Sequence, residues 1–156
     1  MKLHLLRHAE AETQLTSDRS RRLTPRGEQQ AATVGSFCRR RGIEPELILS
    51  SPVIRARQTA DAVAGSVPGA ELIEVPWAAC GMLPETFCGE ITAYKKFSSV
   101  MLVGHQPDLG LLAARLLGVE LAESLHVRKA LLMGLEVSSW VTGGSRLEFF
   151  VPVKLM

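Results

Sequence analysis

Four side chains suited to gripping an anion are spread between positions 7 and 105 of this chain: the adjacent pair Arg7-His8, then Arg55, then His105. Arginine carries a fixed positive charge on a planar fork of donors that matches phosphate and carboxylate. Histidine adds a ring whose protonation changes near neutral pH. Alone, each has an ordinary explanation, such as a solvated strand end or a buried, hydrogen-bonded imidazole. The wider charge pattern favours an anion. Thirteen of the 18 basic residues are arginine, and residues 1–57 hold 11 Lys/Arg against 6 Asp/Glu, whereas residues 58–156 hold 7 against 10. Nucleic acid is a poor candidate for that anion, because aromatic residues are only 5% and no basic recognition helix stands out.

The elements that must position these residues read as strands alternating with helices. Lys2 to Leu6 is a short apolar strand, and residues 10–23 are a polar, Arg-rich loop. Thr24-Pro25 opens a helix that runs to about Arg41, with Gly42 as its C-terminal stop signal. A strand over residues 47–49 is followed by a helix from Ser51-Pro52 to about Ala64, with Ser51 as its cap. Then come a strand over 71–75, a loop over 76–88, a weak helix over 89–97, a strand over 100–103 and a helix from Gln106-Pro107-Asp108 that ends near Gly118. A closing pair of strands spans 130–137 and 146–153. The expected fold is α/β: a mostly parallel central sheet flanked by helices on both faces.

In such sheets ligands bind beyond the carboxyl ends of the strands. Arg7-His8, Ser51 with Arg55, and Gly104-His105 all fall there. Arg7 and His8 can share one pocket if the first strand ends near Leu6. With Ser51 as cap, Arg55 stands in the second turn of its helix, near the positive end of the dipole. A bound anion would turn that unfavourable placement into a favourable one. Asp108 reads as a dipole partner in the first turn of its helix. Arg57 points elsewhere on its helix and reads as a solvated surface charge.

These segments resemble the histidine phosphatase, or phosphoglycerate mutase-like, superfamily. Leu6-Arg7-His8-Ala9 is similar to its first motif, Ser51-Pro52-x-x-Arg55-Ala56-x-Gln58-Thr59 to its second, and Val103-Gly104-His105-Gln106-Pro107 to its third. Leu23-Thr24-x-x-Gly27, after Asp18 and Arg21, resembles the short SixA-type phosphohistidine phosphatases. The resemblance implies a phosphoglycerate mutase-like fold and a covalent mechanism. His8 would be the nucleophile that becomes a phosphohistidine, and Arg7, Arg55 and His105 would bind the phosphoryl oxygens. Arg21 is the candidate for an additional substrate contact, and Arg19, Arg22 and Arg26 for steering an acidic partner. Since guanidinium groups supply the charge, no metal and no cofactor is expected. A metal set of His8, His105 and a cysteine lacks any closely spaced ligand pair.

Larger superfamily members carry an acidic residue after the third strand, where this chain has Trp77. Glu85 and Glu90 stand nearby. Without a general acid, a phosphate ester is a poor substrate, whereas a phosphohistidine protonated on nitrogen loses a neutral imidazole. The expected substrate is therefore a phosphohistidine-containing signalling or phosphotransfer protein, with phosphate ion as product. A small-molecule phosphomonoesterase using Glu85 or Glu90, or a non-catalytic phosphoanion-binding module, are the alternatives. The length of 156 residues suggests a single domain, residues 1–156. No apolar run approaches a membrane span, the opening residues are too short for a signal-peptide core, and Cys38, Cys80 and Cys88 suggest reduced thiols. The expected setting is the cytoplasm, away from membrane and nucleic acid.

Overall fold

β1 (Lys2–Arg7) lies inside a six-stranded sheet, and its neighbours explain the layout. The other strands are β2 (Leu47–Ser50), β3 (Glu71–Glu74), β4 (Ser99–Gly104), β5 (Leu132–Val137) and β6 (Ser145–Val151), in the order β3-β2-β4-β1-β5-β6. Pairings among β1 to β4 are parallel, and β5 runs antiparallel to both β1 and β6. The computed structural model describes residues 1–13 and 18–156, apart from the Arg19 side chain. The loop reading for residues 14–17 and the steering role for Arg19 thus lie outside the described residues.

Period-two alternation sorts the sheet into two cores. Leu3 and Leu5 of β1 join Leu47, Leu49, Val100 and Leu102 on one face. Leu6 joins Ile48, Met101 and Val103 on the other. α4 (Asp108–Leu117) covers the first face with Leu109, Leu112 and Leu116, spaced along one helical stripe. α1 (Pro25–Arg41) and α2 (Ile54–Ser66) cover the second with Val34, Phe37, Ala56, Ala60 and Val63. The architecture is therefore mixed α/β, with a mostly parallel sheet and helices on both faces. Among the described residues, no helix is long and apolar enough to cross a membrane.

The ends of α1 follow local chemistry. Thr24 caps it by accepting the Gly27 N–H, Pro25 opens its first turn, and Gly42 closes it in the left-handed conformation at φ 63°. Gly27 also permits a close approach. A Cβ there would lie 1.9 Å from the carbonyl oxygen of Glu10, and that carbonyl accepts the Thr24 N–H at 3.1 Å. The first turn of α1 thereby anchors the segment following His8. Gly→Ala at an open helix position raises stability by about 1 kcal/mol. Gly27→Ala is expected to reverse that sign and lower it by about 1–3 kcal/mol in a urea unfolding curve.

Several expected boundaries shift, and three of them bear on the site. α2 begins at Ile54 rather than at Pro52 behind a Ser51 cap, with Val53 at the cap position and no side-chain cap. Ser51 Oγ accepts the Val53 N–H at 3.3 Å and also meets a histidine from another element, so it serves the loop instead. Residues 76–88 are not simply a loop: a 3-10 turn covers Pro76–Ala78, and α3 (Pro84–Glu90) starts at a proline. β1 continues past Leu6, because Arg7 stays paired with Gly104 and the His8 N–H bonds the Gly104 carbonyl at 3.0 Å.

Candidate active site

The three central strands β2, β4 and β1 are adjacent and parallel, so their carboxyl ends line up; Arg7 is level with Gly104, and Ser50 with Val103. The segments leaving these ends carry Arg7-His8, Ser51 to Arg55, and His105. The structure brings all four predicted side chains to one place. The His8 and His105 rings are 5.3 Å apart between centroids, tilted by 55°. Arg55 donates from Nε to His8 Nε2 at 3.2 Å. Arg7 is held from behind by the Val127 carbonyl, which accepts from its NH1 at 2.8 Å. Because α2 starts late, Arg55 is the second residue of the helix and stands in its first turn, closer to the dipole's positive end than the sequence suggested.

His8 has its tautomer assigned by its partners. Nδ1 lies 2.7 Å from the Ala9 carbonyl oxygen, which can only accept, so Nδ1 carries the proton. Nε2 is left with the lone pair. Thr59 braces this turn: its hydroxyl accepts the Ala9 N–H at 3.1 Å and donates to the Arg55 carbonyl at 2.7 Å. Gln58 accepts the Leu23 N–H at 2.9 Å, tying α2 to the segment before α1.

Burial and charge keep the imidazoles neutral. Burial first, then His105, Arg55 and Arg7, lower the His8 pKa to about 3, against the pull of the Ala9 hydrogen bond. Burial, followed by Arg55, lowers that of His105 to about 4. Burial, aided by Arg55, lowers Arg7 from its usual value. A third buried ring, His4, lies outside the site and is lowered to about 4 by burial and Lys2. In the unfolded chain these rings protonate near pH 6.5. Stability from keeping them neutral is complete above that pH and drains away as pH falls toward 3–4. Each histidine is expected to remove about 1.4 kcal/mol per pH unit in this window, measurable as a falling denaturation midpoint between pH 6.5 and 4.

Asp18 is a site residue that the sequence reading placed only within a resemblance. It accepts from two arginines, one on α2 and one on the loop: Arg55 NH1 reaches its carbonyl at 2.7 Å, Arg55 NH2 its carboxylate at 3.0 Å, and Arg21 NH2 the other carboxylate oxygen. Burial pushes the Asp18 carboxyl up, but the hydrogen bonds from Arg21 and Arg55 outweigh it and hold the pKa below the ordinary range. Arg21, the candidate for an extra substrate contact, is thus bound to Asp18 and the Glu12 carbonyl. Cys80 also borders the site, 3.5 Å from Arg55 NH2.

Other expectations change. Asp108 is more than a dipole partner: its carboxylate accepts the N–H groups of Gly81 and Met82 at 2.8 and 3.1 Å, pinning the loop beside Cys80. Glu85 is paired with Arg115, two helical turns along α4 from Asp108. Glu90 ends α3 as an exposed residue. Trp77 packs edge-on against Phe87 at 6.0 Å. Arg57 pairs with Asp61 and Glu74, as a surface charge should, and Arg26 lies 3.7 Å from Glu10. A groove of about 830 Å³ opens at the opposite, amino-terminal edge of the sheet, and none of the four site side chains lines it.

What remains is chemically specific. One lone pair, on His8 Nε2, faces a guanidinium. Arg7 Nε and His105 Nδ1 are buried with no partner among the described residues. Such donors suit the equatorial oxygens of a phosphoryl group. The chain belongs to the histidine phosphatase superfamily: residues 3–91 match the family model described as histidine phosphatase superfamily (branch 1), whose members are phosphatases. It is 30% identical over 126 residues to the phosphohistidine phosphatase SixA of Escherichia coli strain K12, covering 74% of each chain. Its fold is that of the protein histidine phosphatase SixA complexed with tungstate (22% identity, TM-score 0.86, covering 99% of this chain and 98% of that one). The alpha-ribazole phosphatase of Shigella flexneri shares the fold too, at 19% identity and TM-score 0.76, covering 98% and 97% of the two chains.

Proposed function

We propose that this chain is a metal-independent phosphohistidine phosphatase, acting in the cytoplasm on a phosphorylated signalling or phosphotransfer protein. His8 Nε2 bonds to phosphorus as the P–N bond to the substrate histidine breaks. The substrate ring, already protonated on its other nitrogen, takes the P–N electron pair and leaves as neutral imidazole. Water then hydrolyses the phosphohistidine on His8 and releases phosphate. Arg7, Arg55 and His105 hold the phosphoryl oxygens through both steps, so fixed positive charge does the work that other phosphoryl-transfer enzymes give to metal ions.

The observation that carries the choice of substrate is the condition of the carboxylates. Asp18 is the acidic side chain bonded to Arg55, and its two arginine partners keep it ionised, the wrong state for protonating a leaving group. Asp108 is spent on two loop N–H groups, and Glu85 on Arg115. An alkoxide leaving group would go unprotonated, whereas a phosphohistidine ring that already carries a proton on its other nitrogen needs no acid from the protein. The test compares a phosphohistidine-bearing phosphotransfer protein with sugar phosphates. The protein is expected to show kcat/KM higher by at least about 100-fold, with Glu85→Gln and Glu90→Gln unchanged from wild type. A preference for sugar phosphates that disappears in Glu85→Gln would establish the ester reading instead.

A further inference from the structure

The two ring nitrogens of His105 are in unequal situations. Nε2 lies 2.8 Å from Ser51 Oγ. Nδ1 is buried and has no hydrogen-bond partner among the described residues. Ser51 is fully buried and His105 is 3% exposed, so water does not correct an unfavourable arrangement cheaply. A neutral ring has one proton to place.

Two tautomers satisfy the Ser51 contact. If Nε2–H donates to Ser51, the serine oxygen receives two donors, because it already accepts the Val53 N–H at 3.3 Å. Its own proton is then left without an acceptor, and Nδ1 presents a lone pair that an incoming phosphoryl oxygen would repel. If Ser51 donates to Nε2, every polar atom of the serine is used. Nδ1 then carries the proton, and an oxyanion satisfies it. The second arrangement leaves fewer orphaned groups before binding and none after it.

We infer that Ser51 is a positioning residue for the phosphatase reaction: its hydroxyl donates to His105 Nε2 and thereby fixes the tautomer whose Nδ1–H bonds a phosphoryl oxygen. The depressed pKa of His105 agrees, since a cationic ring would have no need of such a choice. The arrangement complements His8, whose tautomer is also Nδ1–H but is set by a carbonyl, which leaves a lone pair at Nε2 for attack. One ring is set to attack and the other to donate, each by a partner on its far nitrogen.

The inference rests on the phosphatase reading for its kinetic arm but not for its spectroscopic arm. Nitrogen-15 NMR of the wild-type protein without substrate, near pH 7, is expected to show His105 protonated at Nδ1. Protonation at Nε2 would overturn the inference whatever the activity. In Ser51→Ala the His105 signals are expected to move toward the Nε2–H form or a mixture, and kcat to fall about 10- to 100-fold. Unchanged His105 signals in a folded Ser51→Ala protein would also overturn it. A double-mutant cycle separates this role from general packing. If Ser51 acts through His105, adding Ser51→Ala to His105→Ala costs little further kcat. Fully additive losses would mean that Ser51 matters for another reason. A wild-type protein that shows the Nδ1–H signature yet hydrolyses no phosphate compound would sink the phosphatase reading alone.

Discussion

His8→Ala is expected to lower turnover of a phosphohistidine substrate by at least about 10⁴-fold, leaving too little to separate from background. The substitution removes the ring nitrogen Nε2 and its attacking lone pair, and His105 cannot replace it, because its Nε2 is engaged with Ser51. Folding should survive. His8 is a buried ring with a depressed pKa, so removing it also removes a group that resists burial when protonated. The experiment pairs steady-state kinetics with a quench using ³²P-labelled substrate. Wild type should yield a protein-bound label that is lost in acid and survives alkali, and His8→Ala should yield none. A variant that retains near-normal turnover would refute covalent catalysis at this residue.

Arg55→Lys should cost about 10³-fold in kcat/KM although it keeps the charge. The guanidinium makes several contacts at once: Nε to His8 Nε2, NH1 to the Asp18 carbonyl, and NH2 to the Asp18 carboxylate and to Cys80 Sγ. An ammonium on a flexible stem reproduces at most one of these directions. Arg55 is 3% exposed, so some loss of stability is expected as well, and a melting curve on the same sample separates it from the kinetic loss. Arg57→Lys is the matched control two residues along the same helix. Its partners, Asp61 and Glu74, lie on the surface, and its activity should be unchanged. Equal activity of Arg55→Lys and wild type would exclude any requirement for the planar fork.

How much of this was legible in the sequence depends on how far the deciding partner lies along the chain. α1 was readable at both ends, because Thr24, Pro25 and Gly42 act on their immediate neighbours. α2 was misread at its start because Ser51 looks like a cap until His105, 54 positions away, is seen to engage its hydroxyl. Asp108 has the same history: a first-turn aspartate is an ordinary dipole partner until Gly81 and Met82 are placed beside it. α3 was missed because seven residues with Pro, Cys and Gly leave too short a pattern to reveal a stripe. The meeting of Arg7, His8, Arg55 and His105 was legible for a different reason. Parallel strands impose a shared end on their following loops, so a pattern of alternating elements already implies which residues meet.

The outer strands β3 and β6 contribute none of those four side chains, and the sheet order puts the strands that do contribute next to one another. Fraying at the margins is therefore expected to leave the proposed turnover intact, with the four-residue cluster coming apart only when the middle of the sheet opens. Heat inactivation and loss of the native fold should then be a single event, with no inactive but otherwise intact form preceding the collapse.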